Sequence, residues 1–197
     1  MIAVMILSTV WTGIFEMRVT QEQMRENRRR ILAEAGRLFR EKGYEAVGVA
    51  EVMRAAGLTH GGFYGHFASK EDLLAQAIKH AAAEKSGSGT SLPAFLAAYL
   101  SPSHRDDVAG GCPMAALAAA IRLRPALARS AMTDGIRSSI AGVEATLPQS
   151  VTTTPRREAV GTYAAMLGAL ILARAVDDPA LSDEILAETR AWISFDA

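Results

Sequence analysis

Residues able to do acid–base or nucleophilic work are few in this chain: His60, His66, His80 and His104, and the single Cys112. An imidazole can shuttle protons or bind a metal near neutral pH. A thiolate can attack carbon or ligate zinc. Neither chemistry is assembled by spacing. No Ser-His-Asp arrangement or Gly-rich phosphate loop is present, and one cysteine with four scattered histidines falls short of a structural zinc site. An enzyme is therefore not expected, nor a metal or a cofactor. One cysteine also rules out a disulfide within the chain, in keeping with a reducing cytoplasm. His60 and His66 fall instead in a short polar, glycine-rich run, Thr59-His60-Gly61-Gly62-Phe63-Tyr64-Gly65-His66. Such a run offers hydrogen-bonding groups and exposed backbone rather than a catalytic centre.

That run must be held by its neighbours, residues 49–74. Val49, Val52, Met53 and Ala56 fall at i, i+3, i+4 and i+7, the apolar stripe of a short helix. Gly57 ends it, because glycine tolerates the left-handed conformation. Thr59 can cap a second short helix through His66. Ser69 can cap a third, with Glu71 and Asp72 in its first turn, where the helix dipole favours acid. Helix, tight glycine turn, second short helix is a helix-turn-helix, whose second helix can enter the DNA major groove. Thr59, His60, Gly61 and Gly62 then sit at the end that faces base edges, and Phe63 stands where a core residue is needed. Three glycines in so short a helix cost about 1 kcal/mol each relative to alanine; close backbone approach to DNA would account for them.

The pieces Leu38-Phe39, Lys42-Gly43-Tyr44, Ala55-Ala56-Gly57-Leu58, Phe63-Tyr64, His66-Phe67 and Ser69-Lys70-Glu71-Asp72-Leu73-Leu74 agree in order and spacing with the N-terminal domain of the TetR/AcrR family of transcriptional repressors, which residues 25–85 resemble. The resemblance implies that Tyr64 and His66 contact phosphate, that Lys70 meets the DNA backbone, and that the arginine-rich start of the first helix, Arg28 among its members, lies near it. The chain departs from the family at Val47 and Gly48, where a capping serine or threonine usually touches a phosphate. The resemblance further implies a C-terminal body that binds a small molecule and dimerises.

Composition is compatible with this. The 197 residues have zero formal net charge and are 50% hydrophobic. Residues 17–85 carry 12 Lys and Arg against 9 Asp and Glu, and residues 86–197 carry 9 against 11. A modestly basic head on a slightly acidic body suits DNA contact at one end. Residues 1–16 lack the basic start and cleavage site of a signal peptide and are too short an apolar run to span a membrane. Translation is expected to begin at Met17, which makes 1–16 an upstream misreading; the alternative is a disordered or packed extension with no separate role. The expected domains are thus 17–85, a three-helix DNA-binding unit, and 86–197, with the boundary in the Ser/Gly run 86–90.

The second half reads as helical throughout, so the fold class is all-α. Helices are expected from about Leu92 to Leu100, from a Cys112 cap to Leu123, from Pro125 through Ile136, Ile140, Val143 and Leu147, from Arg156 to Val176, and from a Ser182 cap with a Leu181–Leu186 staple. Residues 101–111 read as a loop. Gly161, Ala165, Gly168 and Ala169 share one helix face and permit close helix approach; with Trp192 on the last helix they form the expected dimer surface. Phe95, Tyr99, Met114, Leu117, Ile121, Met132, Ile136, Tyr163 and Met166 are the candidate lining of an effector site, apolar with tyrosine handles. The expected function is a cytoplasmic, homodimeric repressor that binds double-stranded operator DNA and is released by a small apolar effector, with no membrane partner. A repressor acting through electrophile or redox sensing at Cys112 is the alternative; a helical enzyme or protein-binding module is a remote one.

Overall fold

The computed structural model describes residues 20–85, 91–147 and 154–193. The expectations for residues 1–16, the start at Met17 and the boundary within 86–90 lie outside the described residues. Every described element is helical: α1 Gln21–Lys42, α2 Val49–Ala55, a 3-10 helix His60–Gly65, α3 Lys70–Lys85, α4 Leu92–Tyr99, α5 Pro102–Asp106, α6 Pro113–Ile121, α7 Ala126–Thr146, α8 Pro155–Ala175 and α9 Pro179–Ile193.

The head is built by α1 to α3. The Thr20 hydroxyl accepts from Gln23 N at 3.1 Å and caps the start of α1. Gly43 ends that helix at φ 81°, its N–H bonded to the Phe39 carbonyl. Ile31, Ala35, Leu38 and Phe39 from α1 share one buried core with Leu73, Leu74, Ala77 and Ile78 from α3, with Leu32 partly buried against it. Ser69 caps α3 as expected, its Oγ accepting from Asp72 N at 3.1 Å. α3 also packs along α7, so one helix belongs to the core of both head and body. A second tie is the Arg40 Nε, which donates to the Ala109 carbonyl at 2.6 Å.

In the body α7 packs on α8, and α8 on α9. Two expectations are corrected here. Residues 102–106 are helical, because Ser101 Oγ accepts from His104 N and Pro102 fits the first turn. Ser182 does not cap the last helix. Asp178 does, accepting from Ala180 N at 2.9 Å and Leu181 N at 3.3 Å, while the buried Ser182 hydroxyl donates to the Ala173 carbonyl at 2.7 Å. Leu181 is exposed, so the staple is not formed. The uncharged run 159–173 lies within α8, which among the described helices is long and apolar enough to cross a membrane; its buried residues, from Ala159 to Ala173, pack inside the body.

Candidate nucleic-acid interface

The turn that presents the 3-10 helix depends on one glycine. Gly57 sits at φ 69°, and a Cβ there would also lie 2.6 Å from Nη2 of Arg30, whose guanidinium donates to the Ala56 carbonyl. The conformation demands glycine, whereas the guanidinium, at the end of a flexible side chain, could shift. Beyond the turn, the sequence predicts an α-helix with a hydroxyl cap at Thr59. The structure corrects this: the Thr59 side chain makes no cap bond, and the six residues after it are 3-10 helical. Half of those six are glycine, the weakest helix former after proline, and 3-10 geometry is common in pieces this short.

An aromatic anchor fixes the segment from beneath. Phe63 and Phe67 are 1% and 2% exposed, their rings stacked with centroids 5.7 Å apart. Tyr64 packs edge-on against Phe63 at 5.2 Å yet remains 73% exposed. Thr59, His60, Gly61, Gly62 and Gly65 are exposed beside it. A Cβ at Gly61 or Gly65 would meet nothing within 4 Å, and one at Gly62 only Met53 Cε at 3.7 Å, an ordinary contact. None of the three has positive φ. Neither packing nor conformation inside this chain asks for glycine at these positions.

His66 and Lys70 flank the segment. Burial, and then the positive charge of Arg28, lower the His66 pKa, so the imidazole is neutral at pH 7. It can donate one N–H but brings no charge. Lys70, at the first position of α3, holds its ammonium 4.1 Å from the centroid of the Tyr44 ring. Tyr44 in turn donates to Glu71 Oε1 at 3.0 Å, and burial followed by that carboxylate pushes its pKa up to about 12. Arg28 is not on the outer face. Its guanidinium lies 4.4 Å over Phe67 and donates to the His66 carbonyl and to Gln76 Oε1, bracing the 3-10 helix against α1 and α3. Arg25 and Arg29 are the exposed arginines at that end of α1, Arg29 in an ion pair with Glu26. Sequence reasoning misses the bracing by Arg28 and Arg30 and the Tyr44 platform, because contacts across 38 and 26 residues leave no local signal.

Residues assigned to the body are placed as follows. Tyr99, Met114, Leu117, Ile121, Met132, Tyr163 and Met166 are buried in the common core, with Phe95 and Ile136 partly buried against it. Met114 lies directly over Gly135. Cys112 is buried at the start of α6 and makes no side-chain cap bond. Of the dimer candidates, Gly161 is exposed, Ala165 and Gly168 are half-buried, and Trp192 is 76% exposed, whereas Ala169 faces inward at 4%. Val160, Ile171, Leu172 and Leu181 add exposed apolar surface on α8 and α9. Among the described residues, no group of three or more His, Cys, Asp or Glu could hold a metal ion.

Known proteins share both halves of this arrangement. Residues 31–77 match the model of bacterial regulatory proteins of the tetR family. Over 59 residues the chain is 39% identical to the HTH-type transcriptional regulator AcrR of Shigella flexneri, a match covering 30% of this chain and 27% of that protein. A second match of 39% over 59 residues is to the Transposon Tn10 TetC protein of Escherichia coli, 30% of each chain. These curated relatives are thus matched over less than a third of their length. Solved structures match more widely. Reduced NemR of E. coli superimposes with TM-score 0.70 at 26% identity, covering 86% of this chain and 95% of that one. A TetR-family regulator from Agrobacterium tumefaciens gives 0.71 at 23% identity, covering 87% and 100%.

Proposed function

Because this chain belongs to the TetR family of bacterial regulatory proteins, we propose that it is a cytoplasmic transcriptional repressor that binds operator DNA as a homodimer and leaves it when an effector occupies the body. The observation that carries the reading is the outer face of the 3-10 helix: Thr59, His60 and Tyr64 exposed over a buried Phe63–Phe67 anchor, with Lys70 alongside. Tyr64, His66 and Lys70 are assigned to phosphate, His60 and Thr59 to base edges. In a dimer, the two heads address half-sites about 34–36 Å apart or a multiple of that. The exposed apolar residues of α8 and α9, Trp192 foremost, are the surface proposed to bury against the second copy, and the exposed Gly161 and half-buried Gly168 allow the helices to approach.

Each charge neutralised on DNA contributes about 0.9 to the dependence of log affinity on log salt. Lys70→Ala is expected to weaken binding to all sequences and to lower that slope by about one, since one phosphate is no longer neutralised. Tyr64→Phe weakens binding without changing the slope, and His60→Ala relaxes base preference. Fluorescence anisotropy with a duplex from upstream of the gene, at several salt concentrations, reads all three. An unchanged slope and affinity in Lys70→Ala would remove Lys70 from the interface.

The effector is proposed to be a small, mostly apolar molecule entering between α4, α6, α7 and α8. The nine assigned residues belong to, or pack against, one continuous core. Entry therefore requires side chains to move, which methionines such as Met114, Met132 and Met166 allow at low cost. Release follows only if the effector prefers a body shape in which the heads are misplaced.

A second reading has its own support. Tyr99 and Tyr163 bury their hydroxyls beside Cys112, and burial, then that neighbouring thiol, raises both pKa values. The half-buried Arg174 reaches the same cluster and donates to the carbonyls of His104 and Arg105. NemR, its structural relative, was solved in a reduced form. Cys112 is proposed as a sensing thiol in this reading. At neutral pH the native protein should then react with a small uncharged alkylating agent faster than a free thiol does, and Cys112→Ser should abolish the reaction. A rate below that of the free thiol would return Cys112 to an inert core residue.

A further inference from the structure

Arg124 lies between α6 and α7 in the body, but its side chain is committed to the head. Nη2 pairs with Glu45 Oε1 at 2.5 Å, and the guanidinium carbon lies 5.1 Å from the centroid of the Tyr44 ring. Lys70 stands 4.1 Å from the centroid of that ring. One buried aromatic side chain, 6% exposed, therefore serves a cation from each domain. The ring is held at its far end by the hydroxyl bond to Glu71, the residue after Lys70. Glu45 and Glu71 offset the two positive charges, which would otherwise repel across the ring.

We propose that Arg124 is a positioning residue for DNA binding: it fixes Tyr44 as the platform on which the Lys70 ammonium rests, so that displacement of the α6–α7 turn is read out at Lys70. This rests on the assignment of Lys70 to the DNA backbone. The link is built to be released. Glu45 is largely exposed, so its ion pair is weak and screened by salt. The buried Arg124 Nε has no acceptor, so the carboxylate and the ring are the contacts that hold the guanidinium toward the head. Another tie between the domains, Arg40 to the Ala109 carbonyl, joins α1 to the loop after α5 and does not touch Tyr44 or Lys70. A shift of α6 or α7, the helices proposed to meet the effector, thus has a direct side-chain route to the proposed phosphate-binding lysine.

The test uses the full chain and the upstream duplex, with anisotropy titrations at several salt concentrations for the wild type, Lys70→Ala, Arg124→Ala, Arg124→Lys, Tyr44→Phe and the Lys70/Arg124 double alanine variant. Arg124→Ala is expected to lower affinity about 3- to 10-fold and to flatten the salt slope as Lys70→Ala does, with no further flattening in the double variant. Arg124→Lys, which keeps a cation near the ring, should restore part of the slope, and Tyr44→Phe, which keeps the ring, should retain it. Unchanged affinity and slope in Arg124→Ala overturns the proposal. So does a double variant in which the two slope changes add, since Arg124 would then contact DNA independently. Thermal unfolding of each variant separates these outcomes from loss of the fold; if Arg124→Ala does not fold, the Arg124→Lys and Tyr44→Phe slopes decide. A wild type that binds no duplex would instead overturn the reading of Lys70 on which the proposal stands.

Discussion

Replacing Phe63 by alanine is expected to remove about 3–5 kcal/mol of stability and with it the proposed DNA-binding surface. The ring is 1% exposed, stacks on Phe67 and supports the edge of Tyr64. Its loss leaves a cavity beneath a six-residue segment that has little helix propensity of its own and cannot collapse far without moving Tyr64. Against a typical total of about 5–15 kcal/mol, this is a large share. Urea denaturation read by circular dichroism measures it. A loss below about 1 kcal/mol, far under the range for a buried aromatic, would show that the 3-10 helix is held by its backbone turn and by Arg28 rather than by the aromatic anchor.

Alanine at Gly61, Gly62 or Gly65 should do the reverse. Each has ordinary φ and space for a methyl group, so the substitution leaves the head as stable as before or raises stability by about 0.4–1 kcal/mol through the unfolded chain. Affinity for the operator duplex should nevertheless fall at least about tenfold for one or more of the three, equivalent to about 1.4 kcal/mol, because the added carbon would stand where the backbone is proposed to meet DNA. The pair of measurements, melting temperature and anisotropy, is what matters. Equal DNA binding by all three variants would mean that these glycines serve neither the fold nor the interface.

How far the sequence can be read differs between elements for physical reasons. Helices whose apolar residues repeat along one face are legible: Val52, Met53 and Ala56 are buried as their spacing requires, with Val49 partly buried against them. The Gly57 turn is legible because glycine alone takes a left-handed position without strain. The 3-10 geometry at residues 60–65 is not, since a cap signal and a short polar run look alike for both helix types. At α9 the serine at 182 imitates a cap, but the local competition is won by Asp178, which accepts two N–H bonds while Ser182 is drawn into the core. Ala169 shares a spacing with Gly161, yet it is buried within its own chain, because periodicity places residues on a face without saying what covers that face. For the site, the exposed set Thr59, His60 and Tyr64 follows from the pattern and from the family resemblance. The two cations around Tyr44 could not be foreseen, as they join residues 44, 70 and 124 through space alone.

Sequence-specific DNA binding by a two-fold pair of heads can be tested in one titration. The purified protein is added to a labelled duplex from upstream of its gene, with a scrambled duplex of equal length as competitor, at about 50–200 mM salt. Expected are saturation at two chains per pseudo-palindromic site, preference of at least about a thousandfold over the scrambled duplex, and log affinity that falls linearly with log salt. Equal affinity for both duplexes, or saturation by a single chain, would contradict it.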